Sequence, residues 1–194
     1  MRTGNVKRVT NETDIEVEIN LDGNGDSTVS TGIGAFDHML AAFAKHGFFD
    51  LNVKCKGDLF IDCHHTIEDC GIALGEAIDK ALGNKEGINR YGCFTLPMDE
   101  TLVLSAIDLC GRPYLNFDVN FTVPSVGDFD TEMAKEFFYA VSYSSKMNLH
   151  IKELAGENNH HKLEACFKAF AKALCIAVTK NDRINGVLST KGTL

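Results

Sequence analysis

Two copies of His-His-Xaa-Xaa-Glu constrain this chain more than any other feature of it. The first is His64, His65 and Glu68 in DCHHTIEDC, and the second is His160, His161 and Glu164 in NNHHKLEAC. Each opens a stretch with helical patterning. Residues four apart share a helix face, so His64 with Glu68, and His160 with Glu164, can each grip one metal ion. The second His of each pair points about 100° around the helix, towards a different ion. Two such helices that exchange their spare His would build a two-metal centre. Four of the 7 His lie in these copies. A single exposed His-His pair would be an ordinary surface feature; two copies in matching contexts are not.

The chain of 194 residues suits one large domain or two small repeated units. No apolar run is long enough to span a membrane. The N-terminal MRTGNVKRVTNETDIEVEI has no apolar signal core. A net charge of −8 without a basic stripe argues against nucleic acid as a partner. The 7 Cys are scattered and form no Cys-Xaa-Xaa-Cys, which points to a reducing, cytoplasmic setting. Cys70 and Cys166 follow the motif Glu residues by two positions and read as small buried hydrophobes. Cys63 stands beside a His-and-carboxylate set whose hardness argues against a thiolate ligand.

The halves resemble each other. With the motifs superposed, Cys70 falls on Cys166, Ala73 on Ala169, Ala77 on Ala173 and Ala81 on Ala177. Upstream, Leu51-Asn52-Val53-Lys54 falls on Leu149-His150-Ile151-Lys152. Each half reads strand, strand, helix, strand, helix, dividing as 1–86 and 87–194. Alternation at Ile15, Val17 and Ile19 predicts a half-buried strand. Asp22-Gly23-Asn24-Gly25-Asp26 lacks the Gly and Glu of a calcium loop and reads as a hairpin turn. Helices are expected near 35–46, 63–82, 130–146 and 160–180, with strands near 51–56, 92–97, 101–109, 113–121 and 148–153. Leu163, Phe167, Phe170, Leu174 and Val178 form a core stripe. The order fits an α/β fold of the two-layer α+β kind, with helices on one side of each sheet. Residues 185–194 have no pattern of their own.

Two four-ligand sites need further donors, and His38 in FDHML and His150 in NLHIK are the natural candidates. His46 could close a helix end favoured by its dipole or touch a substrate. In an acidic chain, cations for an anionic substrate must be concentrated locally: Arg90, Arg112, Lys168, and Ser189-Thr190-Lys191 in the tail are the candidates. Lys168 lies one turn after Glu164 and could form a helix salt bridge or hold an anion beside the metal. Gly32-Ile33-Gly34 does not continue as a dinucleotide fingerprint. Zinc, iron and manganese all remain open on ligand type alone.

FDHML, DCHHTIEDCG, INRYG, MDETLVLSAIDLCGRPYL, EFF, NLHIK, GENNHHKLEACFKAFAKAL and STKGTL occur in order. Together they resemble imidazoleglycerol-phosphate dehydratase over Arg8 to Leu194. Cys63 and Leu188 depart from residues common in that family. The resemblance implies a duplicated fold of the ribosomal protein S5 domain 2-like type and a role in histidine biosynthesis. It also implies two manganese ions per active site, imidazole glycerol phosphate as substrate, and a 24-mer with sites between subunits. On the repeat, one ion would take His64, Glu68, His150 and His161, and the other His38, His65, His160 and Glu164. Glu12 would be the proton-transfer carboxylate, with His46 as runner-up and Glu68 and Glu164 also in the catalytic set. Arg90, Arg112, Lys168, Ser189, Thr190 and Lys191 would hold the phosphate and diol, with His38 and His46 close to the substrate. Two Lewis acids flanking the imidazole ring would let its electrons expel the hydroxyl, since no carbonyl acidifies the neighbouring carbon. The competing readings are a two-metal phosphatase, which would release phosphate, and a metal-storage protein, which needs neither Glu12 nor the cations.

Overall fold

The computed structural model describes residues 1–194. Its first half runs β1 (Thr3–Val9), β2 (Thr13–Asn20), β3 (Ser27–Ser30), α1 (Gly34–Gly47), β4 (Asp50–Gly57) and α2 (His64–Leu82). The second runs β5 (Tyr91–Met98), β6 (Thr101–Asp108), β7 (Tyr114–Asp118), a small hairpin β8 (Ser125–Val126) and β9 (Phe129–Asp130), then α3 (Met133–Ser144), β10 (Asn148–Ala155) and α4 (Asn159–Val178). The expected units are present, with β1 as an additional strand at the start. The region near 130–146 is shorter as a helix, because β8 and β9 take up the residues before it.

The sheets have the same topology, β1-β2-β4-β3 and β5-β6-β10-β7. β3 and β7 are parallel to β4 and β10, so α1 and α3 are the crossover helices that parallel neighbours require. In β2, Ile15, Val17 and Ile19 face the core while Glu16 and Glu18 face outward, as the alternation predicts. The segment 22–26 is not a hairpin turn. β4 lies between β2 and β3, and the loop instead wraps the Asp50 carboxylate. The backbone N–H groups of Asn24 and Asp26 donate to Asp50 Oδ1 at 2.8 and 3.3 Å. A strand with Leu51, Val53 and Cys55 on one face is worth more at the centre of the sheet than at its edge.

Each sheet carries its helices on one face, and the halves meet helix to helix, α1 against α4 and α2 against α3. The approach is closest where side chains are smallest. A Cβ on Gly4 would lie 1.9 Å from the Ala77 carbonyl oxygen, and one on Gly92 would lie 1.8 Å from that of Ala173. These two glycines hold β1 on α2 and β5 on α4 in matching ways. Phenylalanines join the halves: the ring centroids of Phe36 and Phe137 are 5.3 Å apart, as are those of Phe43 and Phe170. Cys70 and Cys166 are buried in the same continuous core, as is the stripe Leu163 to Val178. No helix is long and apolar enough to cross a membrane.

Candidate metal centre and active site

The start of α4 is set by Asn158, whose side-chain oxygen accepts the backbone N–H groups of His160 and His161 at 2.9 and 3.2 Å. An Asn at this position satisfies donors that the first helical turn leaves open. The cap fixes the rotation of the helix, and His160 and Glu164 fall on the face turned towards α1. There His38 completes a three-donor group. Glu164 Oε2 is 3.0 Å from His160 Nε2 and 3.4 Å from His38 Nε2. One donor atom from each residue lies within 4.8 Å of the others. Two imidazoles and a carboxylate at this spacing suit a divalent transition-metal ion. Burial alone would raise the Glu164 pKa; the hydrogen bond and charge of Lys168, with the two imidazoles, hold it below the usual value.

α1 is positioned from the other half of the chain. Asp128, in the turn between β8 and β9, accepts the backbone N–H groups of Gly34 and Ala35 at 2.6 and 2.8 Å. It caps the helix one turn before His38 and matches the helix dipole.

On α2, His64 Nε2 and Glu68 Oε2 are 3.6 Å apart on an exposed face. The spare histidines turn elsewhere. His65 places Nδ1 2.9 Å from Asp58 and Nε2 3.7 Å from Glu12. His161 places Nδ1 2.8 Å from Glu100 and Nε2 3.8 Å from Asp99. Glu12 therefore stands beside the motif, in the turn between β1 and β2. Asp99 and Glu100 form the corresponding turn between β5 and β6, where Asp99 has a positive φ of 49°. His46, in the last turn of α1, has a pKa lowered by burial and by the facing charges of Lys168 and Lys172.

The chain does not bring every candidate together. His150 lies on the outer face of β10, with Leu149 and Ile151 turned to the core, and its ring packs 5.6 Å from that of Tyr114. The helices occupy the other face of that sheet, so within one chain His150 is remote from both motifs. Arg90, held at φ 68°, pairs with Asp108 at 2.7 Å and donates to the Leu188 carbonyl at 2.8 Å. It shares a surface cavity with Ser189 and Thr190, and Lys191 follows in the same turn. Arg112 is exposed in the loop between β6 and β7. Arg90 also donates its backbone N–H to Ala177, at the far end of α4 from His160. About 25 Å of helix thus separates the Arg90 and tail group from the motif in one chain. Lys168 alone among the cations is at the cluster, 2.6 Å from Glu164 Oε1.

Sequence reasoning missed Asp58 and Asp128; it marked Asp99 and Glu100 in MDE as site-region residues without a role, and it held Glu136 only within EFF. Glu136 is half-buried on α3 at the position that His38 occupies on α1. The signal was the same offset that superposes Leu51 on Leu149, carried back through the preceding helix.

Residues 31–174 match the family model described as imidazoleglycerol-phosphate dehydratase. The chain belongs to the imidazoleglycerol-phosphate dehydratase family. An imidazoleglycerol-phosphate dehydratase of Lachnoclostridium phytofermentans is 63% identical, over 100% of this chain and 98% of that protein. One from Acetivibrio thermocellus is 58% identical, over 97% of each chain. The crystal structure of the Pyrococcus furiosus enzyme in complex with (S)-C348 superposes with a TM-score of 0.85 at 40% identity, covering 97% of this chain and 100% of that one. The Staphylococcus aureus imidazoleglycerol-phosphate dehydratase gives 0.84 at 38% identity, covering 92% and 99%. As an imidazoleglycerol-phosphate dehydratase, the chain is a hydro-lyase. The segment matched by the family model holds both His-His-Xaa-Xaa-Glu motifs and His38, whereas Glu12 and the Ser189 to Lys191 tail lie outside it.

Proposed function

We propose that this chain catalyses the manganese-dependent dehydration of imidazole glycerol phosphate to imidazole acetol phosphate, as a cytoplasmic enzyme of histidine biosynthesis. The observation that carries this reading is the group His38, His160 and Glu164, with Lys168 against its carboxylate. The same chain displays a fourth donor, His65, that does not join that group. We infer that His65 of a neighbouring copy completes it, and that the ion beside α2 takes His64, Glu68 and Glu136 with His161 from a neighbour. Glu136 replaces His150 in this assignment, because it stands where the duplication places His38. The distance between the motif on α4 and the Arg90 and tail group supports the same arrangement, since one chain cannot close a substrate between them. A closed 24-mer with sites between subunits satisfies both requirements.

When bound, manganese supplies Lewis acidity to the substrate's imidazole ring. Glu12, beside the ring of His65, would take the proton from the carbon next to the departing hydroxyl. His46, whose pKa is lowered by burial and two lysines, would accept a hydrogen bond from the diol or take a proton. Lys168 gives its charge to Glu164 and to an incoming anion. Arg90, Arg112, Ser189, Thr190 and Lys191 would hold the phosphate, Arg by paired hydrogen bonds and Lys as a point charge.

The test is incubation with imidazole glycerol phosphate and manganese. Formation of the ketone without free phosphate supports the dehydratase, release of phosphate supports a two-metal phosphatase, and neither product removes both.

A further inference from the structure

The spare histidine of each motif is held in a way that the metal group alone does not explain. In His65 and His161, Nδ1 faces a carboxylate at hydrogen-bond distance, 2.9 and 2.8 Å, while Nε2 makes no hydrogen bond. The nearest carboxylate oxygens to Nε2, on Glu12 and Asp99, lie at 3.7 and 3.8 Å, too far for a hydrogen bond. A carboxylate only accepts, and a neutral imidazole carries one proton. The proton is therefore on Nδ1, and the lone pair on Nε2 is left without a hydrogen bond.

The two carboxylates come from unrelated places in the fold. Asp58 follows the last residue of β4, and its side chain is about 10% exposed. Its second oxygen, Oδ1, is buried without a partner. The matching position in the second half is Gly156, where a Cβ would lie 3.0 Å from the Thr101 hydroxyl and 3.1 Å from Lys162. No carboxylate fits there. The second half uses Glu100 from the β5–β6 turn. Its Oε1 accepts the N–H groups of Asn158 and Glu157 at 2.8 and 3.3 Å and the Thr101 hydroxyl at 3.0 Å, which leaves Oε2 for His161. The duplicated halves thus reach one imidazole orientation by two routes.

We propose that Asp58 and Glu100 are positioning residues that lock His65 and His161 as Nδ1–H tautomers, so that each presents Nε2 to a divalent cation held by a neighbouring copy. The proposal rests on the two-metal reading above. A carboxylate behind an imidazole ligand also raises its basicity, and loss of such support weakens metal binding about 10–100-fold.

The test uses the full chain, labelled with 15N in its imidazoles, prepared without metal at roughly pH 8.5, where imidazoles are neutral. Solid-state 15N spectra report the tautomer, with signals assigned by subtraction of His65→Gln and His161→Gln. Both residues are expected as Nδ1–H. Asp58→Ala should move His65, and Glu100→Ala His161, towards the Nε2–H form and weaken manganese binding about 10–100-fold. Asp58→Asn and Glu100→Gln keep an acceptor oxygen, so they should retain the tautomer and recover part of the affinity. An Nε2–H tautomer in the unaltered chain overturns the proposal. So do alanine variants with unchanged tautomers and unchanged manganese affinity. If the unaltered chain binds no manganese at all, the two-metal reading falls, and the tautomers still decide the orientation.

Discussion

Lys168 Nζ lies 2.6 Å from Glu164 Oε1, one turn further along α4, while the other oxygen of the same carboxylate faces His38 and His160. One carboxylate thus joins the cation to the metal group. Lys168→Met should weaken substrate binding by the value of a charge-assisted contact, about 1.5–3 kcal/mol, or roughly 10–150-fold in KM. Arg112→Ala should raise KM without altering metal content. Steady-state kinetics with elemental analysis decide both, and unchanged kinetics in both variants would remove these residues from the site.

Metal content should follow the assignment of donors. Glu164→Gln and Glu68→Gln are each expected to cost about one ion per chain, because donors on successive turns act together. Glu136→Gln should lower occupancy at the second ion, and His150→Gln should not. Elemental analysis after dialysis against limiting manganese separates them. A loss on His150→Gln with none on Glu136→Gln would restore His150 as a ligand.

His46 imposes a pH dependence on stability. Its pKa in the folded chain is lowered from 6.5, first by burial and then by Lys168 and Lys172, with Glu164 opposing. The unfolded chain therefore binds the proton more readily than the folded one. The contribution is fully present above pH 6.5 and is lost as pH falls through the lower, folded value. In metal-free protein, urea midpoints should fall between about pH 7.5 and 5.5 more steeply than in His46→Gln. Parallel curves would show that the imidazole is not held neutral.

Gly92→Ala should destabilise by about 1–3 kcal/mol or more, because the added methyl meets the Ala173 backbone rather than a mobile side chain. Equilibrium urea unfolding of the metal-free chain gives the value. A change below about 0.5 kcal/mol would mean that β5 and α4 separate without cost.

Metal and assembly should be linked by mass action if copies share ions. Light scattering is expected to show a small species, such as a trimer, without metal and a 24-mer with manganese. A chain that stays monomeric and active at saturating manganese would remove the shared-site arrangement and leave the dehydratase activity standing.

The doubled motif, the repeat and the helix faces were legible in sequence because they depend on local periodicity. His64 with Glu68 and His160 with Glu164 needed only the pitch of a helix, and the buried stripe from Leu163 to Val178 needed only its amphipathic spacing. What local pattern could not determine was which elements become neighbours. Asp22 to Asp26 carries turn residues, yet β4 enters between β2 and β3 because its apolar face is better buried at the centre of the sheet. His38 joins His160 and Glu164 because α1 packs on α4, whereas His150 alternates to the outer face of β10. Asp58 lies seven residues before His65, off the helix, and Glu100 lies 61 residues before His161; no helical spacing links either pair, and only the folded chain brings them to Nδ1. Sequence alone determined which side chains could act as donors; tertiary packing decided which of them share a site, because donor geometry depends on contacts between elements distant in the chain.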